Sequence, residues 1–189
     1  MDTSSLDALL DYINPNPAFL DARTEMHFAK GEDIFRQGDL CPDIFIMARG
    51  LVKLHYVTYD GKEWIKSFIT DRGILGSRAS QSLGQPSTFS ATCLEDTTVT
   101  PLLYKTFETQ CSKDPELATK VFQFFQWLGL KKELREHDLL CLSAEQRYRN
   151  FQADQSALAA RITQTDMARY LGITPIALSR IKGRLAQGS

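Results

Sequence analysis

The segment from Arg161 to Leu185 reads RITQTDMARYLGITPIALSRIKGRL and gathers guanidinium, ammonium and hydroxyl groups into a short stretch. Arg180 carries a planar fork of donors that suits two acceptors side by side, and Lys182 carries a compact point charge. Thr163, Thr174 and Ser179 add hydroxyls, and Arg169 a second fork. Such groups bind anions and polar edges and cannot by themselves cut or transfer a bond. The nucleophile and metal chemistries are poorly served elsewhere. Cys41, Cys93, Cys111 and Cys141 are widely spaced with no C-x-x-C, so they form neither a zinc or iron–sulfur spacing nor a disulfide framework. Reduced thiols and a cytoplasmic location are expected. His27, His55 and His137 are isolated from one another, and no metal site is expected.

The elements that position these groups are legible. Thr163 is placed to cap a helix whose third position is Asp166, a variant of the capping box. Met167, Ala168 and Leu171 give that helix its inner face, and Gly172 ends it. Thr174 caps a second helix with Pro175 at its first position, and Leu178 and Ile181 repeat the apolar face. Two short helices about a glycine turn make a helix-turn-helix, whose second helix enters the major groove of double-stranded DNA. Arg180 is then the candidate for a bidentate contact to guanine. Thr163, Arg169, Thr174, Ser179 and Lys182 are candidates for phosphate contacts. Charge agrees: residues 146–189 hold seven Arg and Lys against two Asp, while the whole chain has a net charge of -1. A chain so balanced is no polybasic coat for nucleic acid or membrane.

Upstream, the periodicity changes. Leu6, Leu9, Leu10 and Ile13 have helical spacing, stopped by Asn14-Pro15-Asn16-Pro17. From about 25 to 110 short alternating runs punctuated by glycine predict a β-barrel or jelly roll. Val52, Leu54 and Tyr56 alternate with Lys53, His55 and Val57; Trp64, Lys66 and Phe68 alternate with Ile65, Ser67 and Ile69. Asp60-Gly61 between them is a hairpin signal. Asp114-Pro115 then opens a long helix containing Val121, Phe122, Phe124, Phe125, Trp127, Leu128 and Leu130. A helix this apolar needs cover on two sides, and a second copy of the chain is the simplest partner for one of them. Val121, Phe124, Phe125 and Leu128 are the candidate dimer residues. No run is long and apolar enough for a transmembrane helix, so no membrane partner is expected.

A glycine-punctuated roll, a long apolar helix and a terminal helix-turn-helix resemble the catabolite-activator / fumarate–nitrate-regulator (Crp/Fnr) family of transcription regulators. Lys30-Gly31-Glu32, Gly38-Asp39 and Arg49-Gly50-Leu51-Val52-Lys53 look like its roll motifs, and Asp60-Gly61-Lys62-Glu63 like its hairpin. Leu142-Ser143-Ala144-Glu145-Gln146-Arg147-Tyr148 looks like its hinge. The resemblance covers roughly residues 25 to 185. It implies an α+β chain: an N-terminal helix and cyclic-nucleotide-binding-like roll over 1–112, a dimerisation helix over 113–140, and a DNA-binding domain over 141–189. It implies a homodimer on DNA, a small-molecule effector in the roll, and RNA polymerase as a further partner, without enzymatic activity or a cofactor.

Departures from the family pattern refine these expectations. Members that bind cyclic AMP carry Gly-Glu and, about ten residues later, Arg-Ser; here those positions read Gly76-Ser77 and Ser87-Thr88. The polar pair that reaches the adenine falls near Lys132-Glu133. Gly76, Ser77, Arg78, Ser87, Thr88, Lys132 and Glu133 are therefore candidates for an effector pocket, with cyclic AMP not expected to bind tightly, because a phosphate without its Arg is costly to bury. Arg78 is the one neighbouring cation that offers a substitute. The oxygen-sensing branch uses clustered N-terminal cysteines, and none precedes Cys41. Haem-type sensing needs axial ligands that nothing in the sequence identifies. The second position of the recognition helix, often acidic in the family, is Ile176, which favours apolar contact to a thymine methyl. The family's β-hairpin wing has no counterpart in the four residues after Leu185, so its backbone contacts are expected to be missing. Two alternatives remain: a ligand- or protein-binding module without specific DNA binding, and a cupin-type enzyme, which the lack of clustered His and Glu disfavours.

Overall fold

The computed structural model describes residues 3–20 and 24–187, without the side chain of Leu20. Two short helices, α1 (Ser4–Ile13) and α2 (Pro17–Leu20), precede a roll of eight strands. These are β1 (Met26–Phe28), β2 (Asp33–Phe35), β3 (Asp43–Arg49), β4 (Leu51–Val57), β5 (Glu63–Thr70), β6 (Gly73–Gly76), β7 (Ser90–Cys93) and β8 (Thr97–Leu103), with α3 (Arg78–Leu83) after β6. They form two four-stranded sheets, ordered β1-β8-β3-β6 and β2-β7-β4-β5, and all pairs are antiparallel. Phe35, Phe45, Met47, Val52, Leu54, Leu75, Phe89, Ala91 and Val99 fill the space between them. Alternating side chains supply this core, as two facing sheets require.

The hairpin between β4 and β5 turns at Gly61, whose φ of 77° suits a residue without Cβ. Pairing then runs regularly until Leu54↔Ser67 is followed by His55↔Ile65, which leaves Lys66 without a partner residue. This β-bulge breaks the alternation expected along β5. Ile65 and Phe68 come to the same outer face, where they bury together with Leu51. Lys66 turns the other way, its Nζ 3.7 Å from the centroid of the core ring Phe89. On β4 the expected alternation holds: Val52 and Leu54 enter the core, and Tyr56 packs edge-on against Phe89.

After the roll come α4 (Tyr104–Lys113) and the long α5 (Pro115–Cys141). Asp114 caps α5 by accepting from the amides of Glu116 and Leu117, and Tyr12 of α1 donates to its other oxygen at 2.7 Å. That bond, together with burial, pushes the Tyr12 phenol up to about 12. Leu9, Leu10 and Ile13 of α1 pack with Leu117 and Phe124 of α5 in a second core. The C-terminal domain is α6 (Ala144–Asp154), α7 (Ser156–Ala159), α8 (Gln164–Tyr170) and α9 (Pro175–Gln187), around Phe151, Met167, Ala168, Leu171 and Leu178.

Candidate nucleic-acid interface and effector seam

The turn between α8 and α9 is built as its residues require. Thr163 accepts from the Asp166 amide at 3.0 Å and donates to the Asp166 carboxylate at 2.6 Å, starting α8. Gly172 ends it with φ 69°, a value that strains any residue bearing a Cβ. A Cβ there would also press on Leu139 at 3.2 Å. Thr174 accepts from the Ala177 amide at 3.2 Å and starts α9. Leu178 and Ile181 are buried, so the opposite face of α9 projects Ile176, Ser179 and Arg180 outward. Ile176 is 67% exposed, which is unusual for so large an apolar side chain.

The cations of the C-terminal region divide into two sets. Arg147 donates to the carbonyls of Leu171, Leu142 and Leu139. Arg149 and Arg184 both reach Glu145. Arg161 crosses to the roll, where it meets Glu95 at 2.7 Å, Asp71 at 3.1 Å and the Gly50 carbonyl at 3.1 Å. The hydrogen bonds from Arg161 to Glu95 hold that carboxyl below its ordinary range. Arg169 also faces the roll and pairs with Glu63 of β5 at 3.0 Å. Arg180 is exposed and has no ion pair with a carboxylate among the described residues; Lys182 bonds only the neutral Gln164 amide oxygen, at 3.0 Å.

Two of the candidate DNA contacts have partners within the chain. Arg169 has its guanidinium on Glu63 of β5 in this conformation. The sequence could not show this, since the partner lies in another domain. Thr163 is occupied as a helix cap, with its hydroxyl turned to Asp166.

Around these contacts α8 docks on the outer face of β4 and β5. Tyr170 packs between Phe68 and Phe151, each at 5.3 Å between ring centroids. Arg135 of α5 stacks 3.8 Å from the Tyr170 centroid and donates to its carbonyl. Lys53 bridges Glu63 at 2.6 Å and Asp166 at 3.8 Å. Burial pushes the Glu63 carboxyl up, but its hydrogen bond and charge contact with Lys53 outweigh this and hold it low. Next to it, burial holds the His55 imidazole below its ordinary value; His55 Nε2 meets Thr92 at 2.9 Å, while the buried Nδ1 has no hydrogen bond.

The expected effector residues are dispersed. Ser77 is fully buried and its hydroxyl has no hydrogen bond. Ser87 is buried and donates to the Phe89 carbonyl at 2.7 Å. A Cβ on Gly76 would collide with the Gln81 amide and crowd the Asp43 carbonyl, so this strand end approaches α3 closely. Thr88, Lys132 and Glu133 are exposed. Arg78 donates to the Tyr104 hydroxyl at 3.2 Å and lies 4.8 Å from the Phe125 ring. Lys66, which sequence reasoning did not select, turns onto the Phe89 ring because of the bulge; only register, set by pairing, reveals it.

On α5 the candidate dimer residues split as well. Phe124 is 8% exposed and belongs to the core with α1, and Val121 and Leu128 pack against that same core. Phe124 is thus corrected to an internal position. Phe122 at 63% and Phe125 at 38% carry the exposed apolar face. The four cysteines are separate thiols; burial pushes Cys41, Cys93 and Cys111 up, and Cys141 is exposed.

Residues 25–114 match the family model of the cyclic nucleotide-binding domain. The fumarate and nitrate reduction regulatory protein of Yersinia pestis is 26% identical over 171 residues, covering 85% of this chain and 68% of its own length. The transcriptional activator protein anr of Pseudomonas aeruginosa is 28% identical, covering 84% and 68%. In fold, the chain is similar to FixK2 from Bradyrhizobium japonicum, with a TM-score of 0.76 at 20% identity over 88% of this chain and 85% of that one. A CooA mutant from Carboxydothermus hydrogenoformans gives 0.76 at 18%, over 95% and 84%. A nucleotide-binding-type roll followed by a long helix and a helix-turn-helix defines a transcription regulator rather than an enzyme. Residues 25–114 thus carry a cyclic nucleotide-binding domain, and over most of its length the chain is similar to DNA-binding regulators of the fumarate and nitrate reduction type.

Proposed function

We propose that this regulator acts as a homodimer, each copy laying α9 in a major groove, and that its roll answers to an effector other than cyclic AMP. The observation that carries the DNA reading is Arg180: an exposed guanidinium without a carboxylate partner among the described residues, on the outer face of the second helix beside Ile176 and Ser179. Bidentate pairing with guanine suits that geometry, and an exposed Ile176 suits a thymine methyl. Thr174 and Pro175 start the helix at the groove, and Lys182 and Ser179 supply phosphate contacts. Two-fold pairing along the Phe122–Phe125 face would set half-sites about 34 Å apart.

The effector reading rests on the cassette positions. No carboxylate follows Gly76, and Ser87 commits its hydroxyl to a backbone carbonyl where a phosphate-binding Arg would be needed. Arg78 is held against Tyr104 and Phe125. Retardation of the protein's own promoter fragment, weakening as salt rises, tests the DNA reading; calorimetry with cyclic AMP at micromolar concentration tests the effector reading, and measurable heat of binding would overturn it. One observation favours a second reading, a sensor or protein-binding module without specific DNA binding: Arg169 is spent on Glu63. That reading requires a folded protein that retards no fragment at any salt.

A further inference from the structure

Polar side chains from β2, β7, β4, β5 and α8 meet on the outer face of one sheet. Asp33 of β2 bonds Arg36 at 2.7 Å and accepts from the Thr92 hydroxyl of β7 at 2.5 Å. Burial pushes the Asp33 carboxyl up, but those hydrogen bonds outweigh this and hold it low, so it is ionised and can only accept. The single hydroxyl hydrogen of Thr92 is thereby used. Its oxygen, 2.9 Å from His55 Nε2, must then accept from that nitrogen. His55 is therefore the Nε2–H tautomer, and its Nδ1 is a bare lone pair. That nitrogen is buried, has no hydrogen bond among the described residues, and lies 3.8 Å from Glu63 Oε2. A lone pair facing a carboxylate oxygen in a buried site is unfavourable, and a proton between them removes the conflict. The other oxygen of Glu63, Oε1, holds Lys53 at 2.6 Å and Arg169 of α8 at 3.0 Å. Glu63 thus stands between His55 and α8. Lys53 and Arg169 balance Glu63 and Asp166, which Lys53 reaches at 3.8 Å. A proton on His55 would leave this cluster with one positive charge in excess. Lys53 and His55 sit on β4, which pairs with the strand of Glu63. Arg169 comes from another domain, and at 34% its side chain is the most exposed of the three, so it is the cation that can leave for water.

We propose that His55 is a proton switch for the docking of α8: when Nδ1 takes a proton from solvent, Glu63 turns to His55, and Arg169 and α8 are freed from the roll. This rests on the reading of α8 and α9 as a DNA-binding unit, and it adds acidity as a signal received on the outer sheet. The charged groups around the ring are Glu63 of β5, Lys53 of β4, Asp33 of β2 and Arg169 of α8. Burial holds the imidazole low, and Lys53 and Arg169 add to this against the upward pull of Glu63 and Asp33. Undocking takes Arg169 away and opens the ring to water, so His55 binds its proton more tightly when α8 is free. The contribution of His55 to docking is then full above the ordinary imidazole value and is lost as pH falls through the depressed value of the docked state.

The test uses the full chain with 15N-labelled imidazoles and follows His55 by NMR across pH. Cross-peaks between the Tyr170 and Phe68 rings, whose centroids are 5.3 Å apart, report docking. Near neutral pH a bare Nδ1 and a protonated Nε2 are expected. On acidification the cross-peaks should fade in step with His55 protonation, the ratio of undocked to docked protein growing by up to about tenfold per pH unit, as one bound proton requires. His55→Gln offers Thr92 an amide donor but takes up no proton, so its cross-peaks should persist until the carboxylates themselves titrate. Arg169→Gln removes the charge that α8 brings to the ring and should raise the proton affinity of His55 severalfold. This side chain is partly exposed, so the switch stays testable should the His55 variant not fold. A protonated Nδ1 at neutral pH, His55 titration with unchanged cross-peaks, fading of His55→Gln at the wild-type pH, or an unchanged His55 midpoint in Arg169→Gln would each overturn the switch. Promoter retardation at each pH separates the two readings. If the cross-peaks follow His55 and no fragment is retarded at any pH, the switch stands and the regulator reading fails. If fragments are retarded while the cross-peaks ignore His55, only the switch fails.

Discussion

Arg180 carries the sharpest claim at the scale of single residues. Its replacement by Ala should cost about 1–3 kcal/mol of discrimination at one operator base pair and relax specificity there, read by quantitative retardation on base-substituted fragments. Unchanged specificity would remove the residue from the base-reading set. Gly172 carries a stability claim. Gly172→Ala forces a Cβ into left-handed backbone and against Leu139, so thermal unfolding should show a loss of about 1–2 kcal/mol. Thr163→Ala removes a cap and should cost about 1 kcal/mol in the same measurement. These positions were readable from sequence because caps and turns are local: Thr163, Gly172, Thr174 and Pro175 act on backbone within four residues of themselves. The ion pair of Arg169 was not readable, for the opposite reason. Its partner Glu63 is more than a hundred residues away, and nothing in the local pattern distinguishes an arginine that meets phosphate from one that meets a carboxylate on a neighbouring domain.

Between elements, periodicity gave α5 its length but left its faces ambiguous. Phe122, Phe124 and Phe125 are near neighbours in sequence, yet Phe124 closes the core with α1 while Phe122 and Phe125 stand exposed. The choice depends on where α1 packs, which is tertiary information. Phe122→Glu with Phe125→Glu should leave thermal stability almost unchanged and give monomer mass in sedimentation, because like charges would then face each other across the two-fold. Phe124→Ala should instead unfold the chain more readily, by about 3–5 kcal/mol, through a cavity beneath α1. The docking of α8 on β4 and β5 has a pH signature. Glu95 sits below its ordinary range through Arg161, and Glu63 through Lys53 against the upward push of burial. Their contributions are full above the ordinary carboxylate pKa and vanish as pH falls through the folded values. Burial also lowers His55, so its contribution is full above about 6.5 and declines as pH falls. Docking should therefore loosen on acidification. The partly exposed Arg161–Glu95 pair is worth about 0.2–1 kcal/mol, and the melting difference between the wild type and Glu95→Gln should shrink toward zero below the carboxylate range.

For the molecule as a whole, the basic C-terminal region looks less available to DNA than its composition implies. Of its seven cations, Arg147 is spent on carbonyls, Arg149 and Arg184 on Glu145, and Arg161 and Arg169 on the roll. If docking persists on DNA, few phosphates are neutralised and the salt dependence of retardation should be shallow; if α8 leaves the roll, Arg161 and Arg169 add two charges and the slope steepens by nearly two. Measuring that slope with wild type and Glu63→Gln distinguishes the two states, and the variant should be the steeper. The hinge then sets how such a change proceeds. Ser143 caps α6 in a reciprocal box with Gln146, and one guanidinium, Arg147, clasps carbonyls from the end of α5, the hinge and the end of α8. A joint held by many separate contacts would bend by degrees as they yielded one after another. This one is tied back from α8 by two rigid forks, Arg147 on the Leu171 carbonyl and Arg135 on the Tyr170 carbonyl, so letting go of α8 means turning both. A hinge of that kind should move between two positions, both forks closed on α8 or both open, rather than bend by degrees.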